Sequence, residues 1–563
     1  MEITGSRIPG SPTERPKRRP RPKKPRDGVF KQVRFPHSGV FAFSCFSMVG
    51  QEGISFAVLL MTAHFGDIVA KVCECLICRG SLTFHEIARF TELPHGQVKN
   101  SLLVLIQHNC VQAFSVPKTV GIGGPSRVST LYMAIFDNII HRMRFSKFHH
   151  IVKKDLGDQC AQLLEGFLQH GRLTFQLLYG RASELSGGKA KQVDVLSMFN
   201  KLVHAQYVER CPGVPFLELK SDDEVSSARK RSKSEETKTI EEEAMIAAAP
   251  SDADRFSGII DLMTDSGAVT NDKEEESILE VAAGNKRKHE VLEMDEEIQK
   301  TINTNEILWR ANYEKFVYCL KKKACVANAR SRFGDGAAIV LEALMESCDP
   351  NIKNLNFVTS SMNSILEGVR GKPGGVSLTL EHVRAILEQL GCQLCTEETG
   401  VLYSIVLKDI IESCKNDEAE SLILKKYGKE AYRIFRFLTK TGRFVHTDQI
   451  IETTFLEKKE AQKILWKLWM DNYLHMEKLN LHTGGRSEVF LWKVHKELVW
   501  QHVLDYMFHA ALNISQKISE KEEARQVSVG NAEAEKLRKV RYILEASLLR
   551  MDDAIMLFHD FST

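Results

Sequence analysis

This sequence lacks a long apolar run, a paired cysteine framework and any catalytic signature, and each absence narrows what the chain can be. A membrane helix needs about 20 predominantly apolar residues. The nearest approach, Val40 to Phe65, follows a basic segment as a signal anchor would, but Gln51, Glu52 and several glycines interrupt it. A core helix opening the first domain is the plainer reading. Met48 offers an alternative start, which would make the leader an addition. The 13 cysteines are scattered. A 563-residue chain can bury its core without disulfides, so they read as reduced thiols of the cytosol or nucleus. Cys73, Cys75 and Cys78 lie together on a predicted helix, and Cys392 and Cys395 form one CxxC, yet neither set has the second pair that a structural zinc site needs. HExxH and GxSxG are missing. SGGKA (186–190) resembles part of a phosphate-binding loop, but Ser183 stands where the first glycine belongs and Ala190 where the magnesium-holding hydroxyl belongs. No cofactor, metal or active site is expected, and an enzyme is the least supported class.

Large net charge is also missing, at +3 overall, because two opposite excesses cancel. Met1 to Ser38 carries 11 Lys/Arg against 3 Asp/Glu, and Glu218 to Lys300 carries 12 against 23. The first stretch, with PKRRPRPKKPR at 16–26, and the second both have too little apolar content for a packed core and are expected to be disordered. The length predicts several domains. The expected organisation is a basic leader (1–50), a first module (51–135), a connector and second module (136–217), an acidic linker (218–304), third and fourth modules (305–412 and 413–494) and a helical tail (495–563).

What the chain does have is an internal repeat. RGSLTF (79–84), HGRLTF (170–175) and TGRFVH (441–446) each follow an amphipathic helix, marked by Phe65, Ile68, Val69, Val72 and Leu76, by Leu163, Leu164, Phe167 and Leu168, and by Ile434, Phe435 and Leu438. Each then leads through a short helix and a turn into a second amphipathic helix, at about 97–109, 190–205 and 457–471. Strand-like HNCVQAF, AQYVERC and DNYLHME follow. In the first and last copies a Gly-rich loop and an apolar run, VSTLYMAI and VFLWKV, come next. Helix, strand, helix, turn, helix and hairpin is the winged-helix order. A less regular copy fits 305–410, with SMNSILEGV, LTLEHVRAILEQLG, CQLC and VLYSIVL. In the tail, Leu498, Val503, Met507, Ala511, Ile514 and Ile518, then Leu537, Ile543, Leu544, Leu548, Met551 and Ile555, predict a helical hairpin or short coiled coil broken near Gly530-Asn531. The fold class is thus mainly α with small β wings: four tandem winged helices and a C-terminal helix pair.

In such modules the third helix reads DNA. Here it offers only Lys99, Asn100, Gln107 and His108 in the first copy, Lys189, Lys191 and Lys201 in the second, and Lys458, Lys459, Lys463 and Lys467 in the fourth, the last diluted by Glu457 and Glu460. None supplies the arginine fork that grips guanine. Modules that mostly bind protein, with non-specific phosphate contact, are the expectation. Candidates for that contact are Lys118 and Arg127 in the first wing, Arg144 and Lys147 in the connector, and Lys321, Lys322, Lys323, Arg330 and Arg332 in the third module. For any one of them a solvated charge on a helix face is the blander alternative.

Several stretches in order carry a family resemblance: HFGDIV (64–69), GQVKNSLLVLIQHNCV (96–111), MRFSKF (143–148), VERCP (208–212), WRANYEKF (309–316) and AYRIFRFL (431–438). Over about 60–563 the chain resembles the winged-helix subunit family of eukaryotic RNA polymerase III, the TFIIE-alpha-like member of its initiation heterotrimer. It departs in Ser146, where the connector would carry proline, in the extra leader and in a shorter tail. The resemblance implies four extended winged helices plus a coiled coil on the clamp of the largest subunit, beside two smaller partner subunits. It also implies promoter opening together with the initiation factor TFIIIB, and residence in the nucleus. Given that location, Arg229, Lys230, Arg231 and Lys233, and Lys286, Arg287 and Lys288, are candidate nuclear-import clusters. The alternative is a winged-helix scaffold outside a polymerase, of the proteasome-lid or signalosome type.

Overall fold

The computed structural model describes residues 50–118, 127–185, 187–188, 191–217, 239–249, 251–256, 307–347, 357–397, 400–481, 487–527 and 531–562. They are mainly helical, with small antiparallel sheets. The first module comprises α1 (Gln51–Phe65), α2 (Asp67–Arg79), β1 (Leu82–Thr83), α3 (Phe84–Thr91), α4 (His95–Gln107), β2 (Val111–Lys118) and β3 (Arg127–Ala134). A connector of α5 (Phe136–His141), one 3-10 turn (Arg142–Arg144) and α6 (Phe145–Leu156) leads to the second module, with α7 (Asp158–His170), α8 (Phe175–Leu185), α9 (Gln192–His204) and β4 (Val208–Arg210). After it come two short helices, α10 (Ile240–Ala248) and α11 (Asp252–Phe256), then β5 (Trp309–Ala311) and α12 (Tyr313–Phe333). The third module holds α13 (Asp335–Glu346), β6 (Phe357–Ser361), α14 (Met362–Arg370), α15 (Leu380–Gln389), β7 (Gln393–Glu397) and β8 (Gly400–Val406). After α16 (Leu407–Tyr427), the fourth module holds α17 (Lys429–Thr441), β9 (Val445–His446), α18 (Thr447–Thr454), α19 (Lys458–Met470), β10 (His475–Leu481) and β11 (Ser487–Lys493). The tail is α20 (Lys496–Val527) packed against α21 (Asn531–Phe558).

The repeat seen in the sequence has a physical role. Its apolar residue is the buried first strand: Leu82, Leu173 and Val445 are at most 9% exposed. The next residue caps the following helix. Thr83 forms a reciprocal capping box with Glu86, Thr174 Oγ1 accepts from the Leu177 amide at 3.3 Å, and His446 Nδ1 accepts from the Asp448 amide at 3.2 Å. In the third module Ser361 accepts from the Ser364 amide in the same way. The last strand of each sheet lies in the middle, in the orders β1-β3-β2, β6-β8-β7 and β9-β11-β10.

The second sheet differs from expectation. Trp309 falls within the stretch expected to form the third module (305–412), yet β5 pairs with β4, and Trp309 exchanges both backbone bonds with Leu173. WRA therefore closes the second module. The reason is packing: the Trp309 indole is buried edge-on against Phe199 at 5.1 Å. The amphipathic helix expected across Phe65 to Leu76 is also two helices, broken at Gly66, and Ile68 is 45% exposed. Nor is 218–304 without order throughout. Thr239 and Glu242 form a capping box that starts α10, whose Ala244 packs on Phe114, Val116 and Met133 of the first wing. Residues 213–217 run along the free edge of β2, exchanging two backbone bonds with Ser115. Arg255 of α11 pairs with Glu209 and, at 2.7 Å, with Glu314.

The same joint, a helix, one glycine and the helix that precedes the module's first strand, recurs in all four modules: Gly66, Gly157, Gly334 and Gly428, with φ of 83, 90, 91 and 90° and ψ near 180°. Side-chain-bearing residues essentially never adopt that region. One apolar core joins the first and fourth modules to α20, and a second joins the second and third modules. The end of α21 and the 3-10 turn after it (Asp560–Ser562) reach both, with Ile555 and Phe558 in the first core and Met556 and Phe561 in the second.

Candidate functional site

Four third helices, α4, α9, α15 and α19, are the surfaces a winged helix would offer to DNA. The end of α4 is already occupied within the chain. Gln107 Nε2 donates to the carbonyls of His170 (2.9 Å) and Arg172 (2.5 Å), and the Arg172 amide donates back to the Gln107 carbonyl at 2.9 Å. Arg172 Nε also donates to Asn109 Oδ1 at 2.9 Å. The turn that does this, the HGR of the repeat, passes so close that a Cβ on Gly171 would lie 2.0 Å from the Gln107 carbonyl oxygen. The remaining face of α4 shows Lys99, Asn100 and a 56% exposed Leu103, a mixed surface. On α9, Lys191 and Lys201 are exposed, and the Lys189 side chain lies outside the described residues. On α19, Lys458 pairs with Asp448 at 3.4 Å and Lys467 lies over the Tyr427 ring, while Lys459 and Lys463 are exposed.

The densest arrangement of charge is the connector, and it faces inward. Arg144 is 0% exposed. Its Nε donates to Asp552 Oδ1 and its Nη1 to Asp560 Oδ1, both at 2.8 Å, and Nη1 also reaches His141 Nδ1 at 2.9 Å. Lys147 Nζ donates to Asp552 Oδ2 (2.6 Å), Asp553 Oδ1 (2.8 Å) and the Leu549 carbonyl (3.1 Å). Burial opposes the charge on Arg144, but Asp560 and Asp552 outweigh it and hold the guanidinium above its ordinary value. Burial likewise opposes the Asp560 charge, and Arg144 and His559 reverse that, holding this carboxyl well below the usual range. Burial and then Arg144 push His141 down to about 3. His141 is therefore neutral and accepts from Arg144, so its 3.9 Å approach to Asp560 is not an ion pair.

Beside this polar knot lies an aromatic one. Phe148 stacks on Phe316 at 4.5 Å, Tyr207 stacks on Phe316 at 5.1 Å, and Phe145 stacks on Tyr313 at 6.2 Å. Arg142 lies over the Phe65 and Phe145 rings at 4.5 and 5.3 Å. One basic-aromatic segment thus ties the first module, the second module, α12 and the end of α21 together.

This arrangement gives the surroundings of the residues expected to contact nucleic acid. Arg144 is buried between two carboxylates of the same chain, and Lys147, only 16% exposed, is held by Asp552, Asp553 and the Leu549 carbonyl. Lys321 is 4% exposed, and burial lowers its basicity. Lys322 pairs with Glu346 at 3.5 Å, Arg330 with Asp335 at 3.0 Å and Arg332 with Asp417 at 2.5 Å. Lys323 is exposed. Lys118 and Arg127 stand opposite each other at the described end of the first wing, and their side chains lie outside the described residues. So do Arg229, Lys230, Arg231, Lys233, Lys286, Arg287 and Lys288.

The residues missed from sequence are Asp552, Asp560 and His141. A signal existed for the first: Asp552 falls on the apolar side of α21, between Leu548, Met551 and Ile555, where an unpaired carboxylate would be costly. Among the described residues no group of three or more His, Cys, Asp or Glu side chains suits a metal ion. Burial raises the Cys73, Cys75 and Cys78 thiols; Cys73 is a core residue, Cys75 is half-buried and Cys78 is exposed. No described helix is long and apolar enough to cross a membrane.

Three family models match in series along the chain. They are the helix-turn-helix domain of RNA polymerase III subunit RPC82 at residues 55–116, RNA polymerase III subunit RPC82 at 197–417, and the POLR3C C-terminal winged-helix domain at 419–494. Among curated proteins, the Homo sapiens DNA-directed RNA polymerase III subunit RPC3 is 23% identical over 442 residues, covering 76% of each chain. The Dictyostelium discoideum subunit rpc3 is 22% identical over 567 residues, covering 75% of this chain and 84% of that one. The Candida albicans RPC3 is 25% identical over 149 residues, 26% of this chain and 23% of that protein.

Proposed function

Since this chain belongs to the RNA polymerase III subunit RPC3/RPC82 family, and is a non-catalytic subunit of that enzyme, we propose that it works in a heterotrimer supporting promoter opening and initiation at small-RNA genes such as those for tRNA and 5S rRNA. Its partners in this reading are the clamp of the polymerase's largest subunit, two smaller heterotrimer subunits and, indirectly, the initiation factor TFIIIB. Its place is the nucleus, where the family's polymerase acts.

One observation supports a mainly protein-binding mode: the end of α4 and the connector cations, which a DNA-reading module would present outward, are engaged inside the chain. DNA contact in this proposal is non-specific and uses Lys118 and Arg127 of the first wing together with the exposed Lys323, Lys459 and Lys463. Arg330 and Arg332, in exposed pairs, are secondary.

Two measurements test the proposal. Affinity purification of the tagged chain should return the polymerase III core and two smaller subunits at near-unit stoichiometry; lid-type partners without the polymerase would sink it. Binding of the chain to duplex DNA should weaken steeply with salt, with little sequence preference. A base preference that persists at high salt would refute the non-specific mode.

A further inference from the structure

Lys459, Lys463, Trp466 and Met470 recur along α19 at i, i+4, i+7 and i+11, so they form one stripe on its exposed side. Glu460 is turned about 100° away from Lys459 and Glu457 about 160°, so the carboxylates that dilute this helix in the sequence lie off the stripe. Lys458 and Lys467 are engaged with Asp448 and the Tyr427 ring, but among the described residues no ion pair or ring contact holds Lys459 or Lys463. Trp466 is 38% exposed although its ring meets Trp469, Phe490 and Trp492 edge-on at 5.2, 5.6 and 5.8 Å, and Met470 is 69% exposed. Met470 also borders a cavity of about 600 Å³, lined by apolar Leu474, Leu498 and Val499 and by polar His495, His502 and Asp505. At the head of the helix, Phe455 ends α18 in the left-handed conformation, φ 54°, and is 92% exposed. Glycine or asparagine suits that position. A phenylalanine there bears backbone strain and adds nothing to the core of its own chain.

Exposed aromatic and methionine side chains are the usual anchors of protein interfaces, and two uncompensated cations beside them set the sign of the partner. We infer that this face of the fourth module seats an acidic, amphipathic segment of another protein subunit. Its apolar side chains cover Trp466 and Met470 and enter the cavity, and its carboxylates meet Lys459 and Lys463. The inference rests on the reading that the modules mainly bind protein, and a seated partner withdraws these two lysines from DNA. Duplex DNA fits the stripe less well, because Met470 and the Trp466 ring offer its phosphates no counter-charge. Two copies of the chain meeting on this face would set lysines against lysines.

The test places a photo-crosslinking residue at Gln462, which is exposed beside the stripe, in the full chain in living cells. The expected result is an adduct with another polymerase III subunit, at a peptide that carries Asp or Glu together with apolar residues. K459E/K463E should reduce its yield about tenfold or more, because like charges then face each other, while K459R/K463R should keep it. The melting temperature of the free chain should not change in K459E/K463E, since both positions are exposed. The same adduct on a protein outside polymerase III would support this seat while refuting the proposed function. Adducts confined to DNA, to a second copy or to the chain itself, no adduct at all, or an adduct insensitive to K459E/K463E, would overturn the inference.

Discussion

Replacing Arg144 with methionine removes the one cation placed between two buried carboxylates, Asp552 at 0% and Asp560 at 4% side-chain exposure. Breaking a buried pair by deleting one partner costs roughly 3–5 kcal/mol, because the other charge is left without compensation. Here Lys147 remains 2.6 Å from Asp552, and His559 remains 3.7 Å from Asp560, so the low end of that range, about 3 kcal/mol, is expected. Lys147→Met should cost only about 1 kcal/mol, because Arg144 still holds Asp552 and the other partner, Asp553, is 66% exposed. Arg144→Lys should fall between, since a point charge cannot span both carboxylates as the planar fork does. Hydrogen exchange of the amides from Ile555 to Phe561 reads this local stability directly. At about 1.4 kcal/mol per tenfold, Arg144→Met should speed exchange there by about 100-fold and Lys147→Met by about fivefold. Equal effects from the two variants would show that the guanidinium is not the pin. So would an Arg144→Met effect no larger at Ile555 to Phe561 than in α17.

Acid should weaken the same joint. His141 stays neutral in the fold down to about 3, while an unfolded imidazole takes a proton near 6.5, so between those values only the unfolded chain binds that proton and stability falls as pH falls, by up to about 1.4 kcal/mol per unit. Asp560, held low, loses its contribution only below the ordinary carboxylate range. His559, raised overall by Asp560 and Asp137 against burial, loses its contribution as pH rises above about 6.5. Exchange at 555–561 measured at pH 6.5 and 5.0 should therefore show the loss in the wild type and less than half of it in His141→Asn; an unchanged slope would assign it elsewhere. Gly157→Ala should destabilise by about 1–3 kcal/mol through backbone strain alone, because a Cβ there meets nothing within 4 Å. Gly180→Ala, inside α8 and equally unobstructed, should stabilise by about 0.5–1 kcal/mol, and thermal melting separates the two signs. Gly171→Ala should release the second module from α4, read as faster proteolysis around 170–175.

The modules were legible because their signals are local. A buried residue followed by a cap, as in LTF and FVH, must recur wherever a first strand turns into a second helix. Two further local signals are present in the sequence. The joints appear in the sequence as FGD (65–67), LGD (156–158), FGD (333–335) and YGK (427–429). The turn after each third helix is left-handed at Asn109, Gln206, Gly391 and Asn472, of which asparagine and glycine are the usual occupants. What pattern could not reveal is pairing across distance. Helical periodicity finds the apolar side of α21 but cannot say that Asp552 on that side meets Arg144, some 400 positions earlier. For the same reason the basic connector reads as a surface until the carboxylates that neutralise it are seen. Trp309 looked like a beginning because it follows the linker in the chain, although it is a closing strand in space.

The pairing of the first and fourth modules has a consequence for biosynthesis. Phe56 of α1 packs on Phe508 of α20 at 6.1 Å, about 450 residues later. At translation speeds of roughly 5–20 residues per second, the apolar face of α1 waits on the order of half a minute or more for its partner to leave the ribosome. The second module waits similarly for Trp309. The nascent chain therefore carries incomplete cores for much of its synthesis, and they close in turn, the second module's sheet at Trp309 and the seat of α1 only when α20 arrives.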